Sequence, residues 1–239
     1  MKRVAQDRYI GWVMWPVVSA AAFFVGAYAV AIVFRLLIAG NSQEEISVLA
    51  AIAMSAAELL AALGLVVLFA RYVGKEKLTP SFFGLRRVLQ WKDIGLGLAG
   101  LVLYMLISAT VIGAVLQLVP GFDVGEKQDI GFSALFGIDQ RLAGVLLLVV
   151  VTPVVEEVIF RGVLYGKLRS LRMPIWLAVL VVSASFAALH GQWNVALDVF
   201  VLSVVACVLR EVTGTIWPAI MMHAIKNGIA FYALFILGA

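Results

Sequence analysis

The sequence predicts an all-α protein, a polytopic transmembrane helical bundle of about seven to eight spans forming a single integral membrane domain over residues 1–239. Three observations predict it. Hydrophobic residues make up 64% of the chain and charged residues 13%, against about 45–50% and 25% in soluble domains. Apolar runs of about twenty residues, the length that crosses a bilayer as a helix, recur from end to end. The polar stretches between them are each about twenty residues or fewer, too short for a soluble domain of their own.

Seven runs stand out, at about 12–38, 46–72, 93–119, 142–169, 174–191, 195–211 and 214–237, with Pro and Gly at their ends. The first, Trp12 to Ala39, is longer than the 7–15-residue core of a cleaved signal peptide and is read as a retained span. Residues 12–141 then hold the amino-terminal helices and an interfacial segment, and 142–237 the core helices. The interfacial segment is 74–92, where Phe82, Phe83, Leu85, Val88, Leu89 and Trp91 alternate with basic residues, a pattern that predicts a helix lying in the headgroup plane. Small residues four apart, Ala22 with Gly26 and Ala57 with Ala61, would let helices approach closely.

The connections alternate in charge. Lys2, Arg3 and Arg8 precede the first span; Arg71, Lys75, Lys77, Arg86, Arg87 and Lys92 follow the second; Lys167, Arg169 and Arg172 follow the fourth. The intervening connections are acidic, with Glu44 and Glu45 in one and Asp123, Glu126, Asp129 and Asp139 in the other against Lys127 and Arg141. Basic connections stay in the cytoplasm, so the amino terminus is cytoplasmic. A net charge of +4 dispersed over loops fits the anionic face of a lipid bilayer and not nucleic acid. The lone Cys207 excludes an intrachain disulfide.

One stretch breaks the apolar pattern at depth: Val155 to Arg169, VEEVIFRGVLYGKLR. A charge inside a bilayer costs roughly 3 kcal/mol on insertion scales, so Glu156, Glu157 and Arg161 form a functional-site hypothesis. At about 100° per residue, Glu157 and Arg161 share a helix face and pair, while Glu156 points away and is left for chemistry. Depth sets a condition on this reading. A span ending at Arg161 leaves Glu156 only about 8 Å from the boundary, whereas His190 lies about 24 Å along the next span; if the helix runs to Arg169, Glu156 drops to about 20 Å and the two depths agree. Arg161 must then be buried and neutralised by Glu157. Pro153 removes a backbone hydrogen bond just before the glutamates and predicts a bend with room for water.

The two histidines, His190 and His223, both fall in apolar runs read as helical. Phe186 lies four residues before His190, and Asn227 four residues after His223, each on the histidine's own face. A buried carboxylate takes a proton from water, an imidazole shares that water or protonates a leaving group, and a His beside an Asn can stabilise an oxyanion. These parts suffice to hydrolyse an amide. The rival use of His190, His223 and one glutamate is a zinc site, but there is no HExxH, so its ligands must come from three helices. Two further acids lie in apolar runs: Glu58, read as capping a polar pocket or bonding a neighbouring helix, and Asp198, an acceptor that would orient His190. Other uses of the same polar cluster are a non-enzymatic immunity or scaffold protein and a proton-coupled transporter.

EEVIFR, FAALH and HAIKN, in this order on separate predicted membrane helices, resemble the EExxxR, FxxxH and HxxxN motifs of the CAAX-protease and bacteriocin-processing family of intramembrane endopeptidases, also called the Abi family. The resemblance is close over about 150–230, and FGLRR before the third span is similar to what many members carry there. It implies that Glu156 and His190 activate the attacking water, that His223 and Asn227 form the oxyanion site, and that Glu157 and Arg161 shape the first motif. It further implies a membrane-associated peptide or protein substrate, a glutamate mechanism without a cofactor, an eight-helix core and residence in a bacterial inner or plasma membrane.

Overall fold

The computed structural model describes residues 2–38, 47–121, 135 and 137–237, with side chains from Tyr9 onward. Among the described residues there is no strand, and seven helices follow one another: α1 (Lys2–Ile38), α2 (Val48–Tyr72), α3 (Trp91–Leu118), α4 (Ile138–Ser170), α5 (Ile175–Ala188), α6 (Trp193–Thr213) and α7 (Trp217–Leu237). Each predicted run corresponds to one helix. Five of them, α1, α2, α3, α4 and α7, contain a stretch long and apolar enough to cross a membrane. Large side chains such as Phe24, Tyr28, Val102, Leu106, Leu146 and Leu180 are exposed on the outside of the bundle, as a lipid-facing surface requires. The chain is an integral membrane protein. The acidic connections that the orientation reading uses, 39–46 and 122–134, lie outside the described residues.

The centre of the bundle is α4. From Glu157 to Tyr165 every residue is buried, so this helix is apolar all round apart from its charged pair. It is not a uniform α-helix: wider π-turns at Leu146–Val151 and Val158–Leu164 flank an α-helical stretch, Thr152–Glu157. Such turns inside α-helices frequently coincide with functional sites. It begins at Ile138, four residues before the apolar run, because the polar Asp139, Gln140 and Arg141 form its first turn; Asp139 there is favourable at a helix amino terminus. It ends at Ser170, which meets the depth condition.

The other helices pack around α4 mainly as pairs, α1 with α2, α3 with α7, and α5 with α6. Small residues set the distances. A Cβ at Gly26 would lie 3.0 Å from the Ala62 backbone nitrogen and 3.3 Å from the Glu58 carbonyl, so α1 and α2 touch backbone to backbone as the small-residue spacing allows. Gly97 does the same for α3 against the backbone of α7 at Pro218 and Met222, and Gly100 makes room for the side chains of Leu209 on α6 and Met222 on α7.

The 74–92 segment departs from expectation. It forms no interfacial helix: after Tyr72 the chain runs through turns until α3 starts at Trp91. The physical cause is local. Lys75 and Gly84 adopt positive φ, 51° and 77°, and Pro80 has no backbone N–H for a helix. The turns are closed instead by Phe82 N–H to the Thr79 carbonyl (2.9 Å) and Leu85 N–H to the Pro80 carbonyl (2.8 Å). This folds Phe83 and Gly84 onto α4 at Gly162. Ile216 N–H then donates to the Gly84 carbonyl at 3.1 Å, and the Trp217 indole donates to the Arg87 carbonyl at 2.8 Å. FGLRR is thus a plug wedged between α4 and the start of α7. Ion pairs surround it at the same end of the bundle, Arg87–Asp93 (2.6 Å), Lys167–Glu76 (2.6 Å) and Arg169–Glu211 (3.1 Å). The two bonds to Asp93 hold the Arg87 guanidinium above its usual pKa.

Gly162 is the contact point. A Cβ there would stand 2.3 Å from the Phe83 carbonyl oxygen, whereas nothing lies within 4 Å of one at Gly166. Gly162→Ala is therefore expected to lower the stability of detergent-solubilised protein by about 1–3 kcal/mol and to expose the 74–90 turns to protease, while Gly166→Ala does neither. Equal thermal unfolding and equal proteolysis for the two variants would contradict the plug.

Candidate active site

Glu157 and Arg161 lie one turn apart on α4, both side chains fully buried, with Oε1 and Nη1 3.0 Å apart. The contact is an ion pair without a hydrogen bond's alignment: none of the three guanidinium nitrogens has a hydrogen-bond partner among the described residues. The guanidinium also lies over the Phe186 ring, 4.6 Å from its centroid, a cation–π contact strengthened by the absence of water. The helical-face argument placed this pair correctly. It missed the third member. His223 Nδ1 comes within 3.0 Å of the same Glu157 oxygen from α7.

That contact fixes the ring. An ionised carboxylate only accepts, so Nδ1 carries a proton, and Nε2 is turned toward Glu156, whose Oε2 lies 3.7 Å away. The adjacent glutamates of α4 thus face opposite nitrogens of one imidazole. Glu156 makes no hydrogen bond among the described residues and keeps a slightly exposed side chain, whereas that of Glu157 is fully buried.

His190 sits elsewhere than predicted in one respect. It is not within a helix but in the turn that ends α5, because Gly191 adopts a left-handed φ of 70° and stops the helix there. Its Nδ1 lies 3.0 Å from the Phe186 carbonyl. A carbonyl can only accept, so this ring also carries its proton on Nδ1 and offers Nε2 as a base. Phe186 is the hub of the site, with its ring centroid 4.9 Å from that of His190, 6.1 Å from His223 and 5.0 Å from Phe160. The sequence placed Phe186 beside His190; its contacts to Arg161 and His223 depend on how three helices converge.

Asn227 shares the His223 face of α7, and its Nδ2 donates to the Leu148 carbonyl at 2.9 Å. The reason lies in the π-turn of α4. Thr152 N–H bonds the Leu147 carbonyl five residues back, and in that register the next donor, for Leu148, would be Pro153. Proline has none. Asn227 supplies the missing donor from another helix and keeps one amide proton for the site.

Residues 138–229 match the family described as type II CAAX prenyl endopeptidase Rce1-like. This segment of the chain is similar to that family. The match covers less than half of the chain, from the start of α4 into α7, and contains Glu156, Glu157, Arg161, His190, His223 and Asn227. It agrees with the family resemblance of the three motifs. No curated protein and no solved structure matches the chain.

Asp198 lies in the matched segment but does not take the place that spacing suggested. Its Oδ1 accepts from Tyr104 Oη at 2.5 Å and Ser108 Oγ at 2.8 Å, both on α3, and Oδ2 lies 3.6 Å from Lys226 Nζ on α7. It is an anchor among three helices. Tyr104 and Ser108 lie four apart on α3 and so present both hydroxyls on the face that meets it. As for a metal, no group of three His, Cys, Asp or Glu among the described residues is arranged to hold one.

Asn227→Ala leaves the Leu148 carbonyl orphaned and is expected to cost about 1–3 kcal/mol. Adding Pro153→Ala restores a backbone N–H in the π register and should recover part of that loss in thermal unfolding. A single variant as stable as the parent, or a double variant less stable than the single one, would contradict the explanation.

Proposed function

We propose that the protein is an intramembrane endopeptidase that hydrolyses a peptide bond of a membrane-associated peptide or protein with water activated by Glu156 and His190. The observation that carries this reading is the placement of His223 between two carboxylates of one helix, at 3.0 Å from Glu157 and 3.7 Å from Glu156, within a segment matching a prenyl endopeptidase family. Glu157 is bound to a cation and a ring; Glu156 is not. Two neighbouring acids thereby receive different work, one positioning and one proton transfer.

In this mechanism Glu156 takes a proton from water as the water oxygen bonds to the scissile carbonyl carbon. His190 Nε2 holds the same water through its second proton, its ring fixed by the Phe186 carbonyl. Charge moves to the carbonyl oxygen, where Asn227 donates its free amide proton and His223 donates from Nε2. Donation from Nε2 requires a doubly protonated ring, and the Glu157 carboxylate on Nδ1 stabilises that form. Collapse of the intermediate breaks the C–N bond, and the proton that Glu156 took from the water goes to the leaving amine. The reading assigns no role to a metal.

Purified protein in nanodiscs, offered a library of membrane-associated peptides, is expected to cleave a subset of them. Glu156→Gln should abolish turnover while thermal unfolding stays unchanged, and a chelator should leave the parent's rate unaltered. Turnover by Glu156→Gln near the parent's rate, or chelator-sensitive activity restored by zinc, would refute the mechanism.

A further inference from the structure

A cavity of about 310 Å³ opens between α1, α2 and α4, lined by Phe23, Phe24, Leu59, Leu147, Leu148 and Leu189 with Ser55, Glu58 and Thr152 as its polar members. Glu58 is the acid of this lining, and it lies near the middle of the membrane-spanning stretch of α2. No described residue forms an ion pair or hydrogen bond with it, unlike Glu76, Asp93, Glu157, Asp198 and Glu211. An acid at that depth is costly when left unanswered, and intramembrane acids are otherwise found paired or facing a polar path.

The cavity adjoins the catalytic groups. Thr152 stands one α-helical turn before Glu156 on the same face of α4, Leu189 precedes His190, and Leu148 is the residue whose carbonyl holds Asn227. One turn of helix spans about 5–6 Å, and an extended peptide advances about 3.3 Å per residue. A chain with its scissile bond at Glu156 would place a side chain about two residues away in this cavity.

We infer that the cavity is a substrate subsite in which Glu58 takes the cationic end of a lysine or arginine about two residues from the scissile bond, the apolar walls covering its methylene stem. Resting on the proposed peptidase reading, it makes the enzyme selective for a basic residue within an apolar segment. The apolar lining suits the stem of a long cationic side chain, and the lone carboxylate supplies the complementary charge.

The test measures binding, so that it is readable even if cleavage is not. Protein carrying Glu156→Gln, in phosphatidylglycerol nanodiscs, is titrated with apolar peptides that differ only in lysine or its uncharged isostere norleucine. The lysine peptide is expected to bind on the order of tenfold tighter. Adding the isosteric Glu58→Gln should bring the ratio close to one, and Glu58→Lys should transfer the preference to a glutamate peptide. Equal binding of the lysine and norleucine peptides, or a preference that survives Glu58→Gln, overturns the inference. So does loss of the preference when phosphatidylethanolamine replaces phosphatidylglycerol, which would give Glu58 to a lipid amine. Failure of the protein with intact Glu156 to cleave any peptide would instead refute the peptidase reading and leave the binding ratio to be judged by itself.

Discussion

Two opposite charges with no exposed surface, Glu157 and Arg161, are locked together inside α4, and the arrangement of the other helices answers to them. Removing one member of a buried pair costs about 3–5 kcal/mol because the other is left uncompensated. The pair therefore has to be enclosed. Phe186 from α5 covers the guanidinium, His223 from α7 takes the carboxylate, and the buried run from Glu157 to Tyr165 excludes lipid and water around them. What would be a liability for a membrane helix becomes the means of orienting an imidazole. With Glu157 neutralised by Arg161 and used by His223, the neighbouring Glu156 is the acid to which the proposed mechanism gives the proton transfer.

A second theme is the irregularity of α4. Its π-turns and Pro153 leave a carbonyl at Leu148 without a donor in its own helix, and Asn227 supplies one. The same widened turn lines the cavity that contains Glu58. Irregular backbone is tolerated at membrane depth only where protein or a polar cavity satisfies it. Here the first π-turn leads into the α-helical stretch that carries Glu156 and Glu157, so the backbone defect, the asparagine and the proposed substrate subsite are parts of one region.

What could be read in the sequence was whatever repeats along a single helix. The seven apolar runs, the Glu157–Arg161 spacing, the need for α4 to continue past Arg161 and the Gly26 contact are consequences of helical geometry and bilayer thickness, and each appears in the fold. Properties decided between helices were not legible. No spacing reveals that Glu157 meets His223, that Asn227 reaches back to Leu148, or that Asp198 turns toward Tyr104, Ser108 and Lys226 and away from His190. Two local readings failed because single residues outweigh composition. Gly191 ends α5 before His190, and Lys75, Pro80 and Gly84 turn an amphipathic-looking stretch into a plug. The polar first turn of α4 escaped a reading based on hydropathy for the opposite reason, since helix formation there does not depend on apolar residues.

The central claim is that Glu157 sets the protonation of His223, and the chain's having only two histidines makes it directly measurable. Nitrogen-15 NMR of protein labelled at histidine alone should show both rings protonated at Nδ1. Replacing Glu157 with leucine should release the His223 signal from that state while the His190 signal, held by the Phe186 carbonyl, does not move. A His223 ring that lacks the Nδ1 proton in the parent protein, or that keeps it unchanged after Glu157→Leu, would contradict the account.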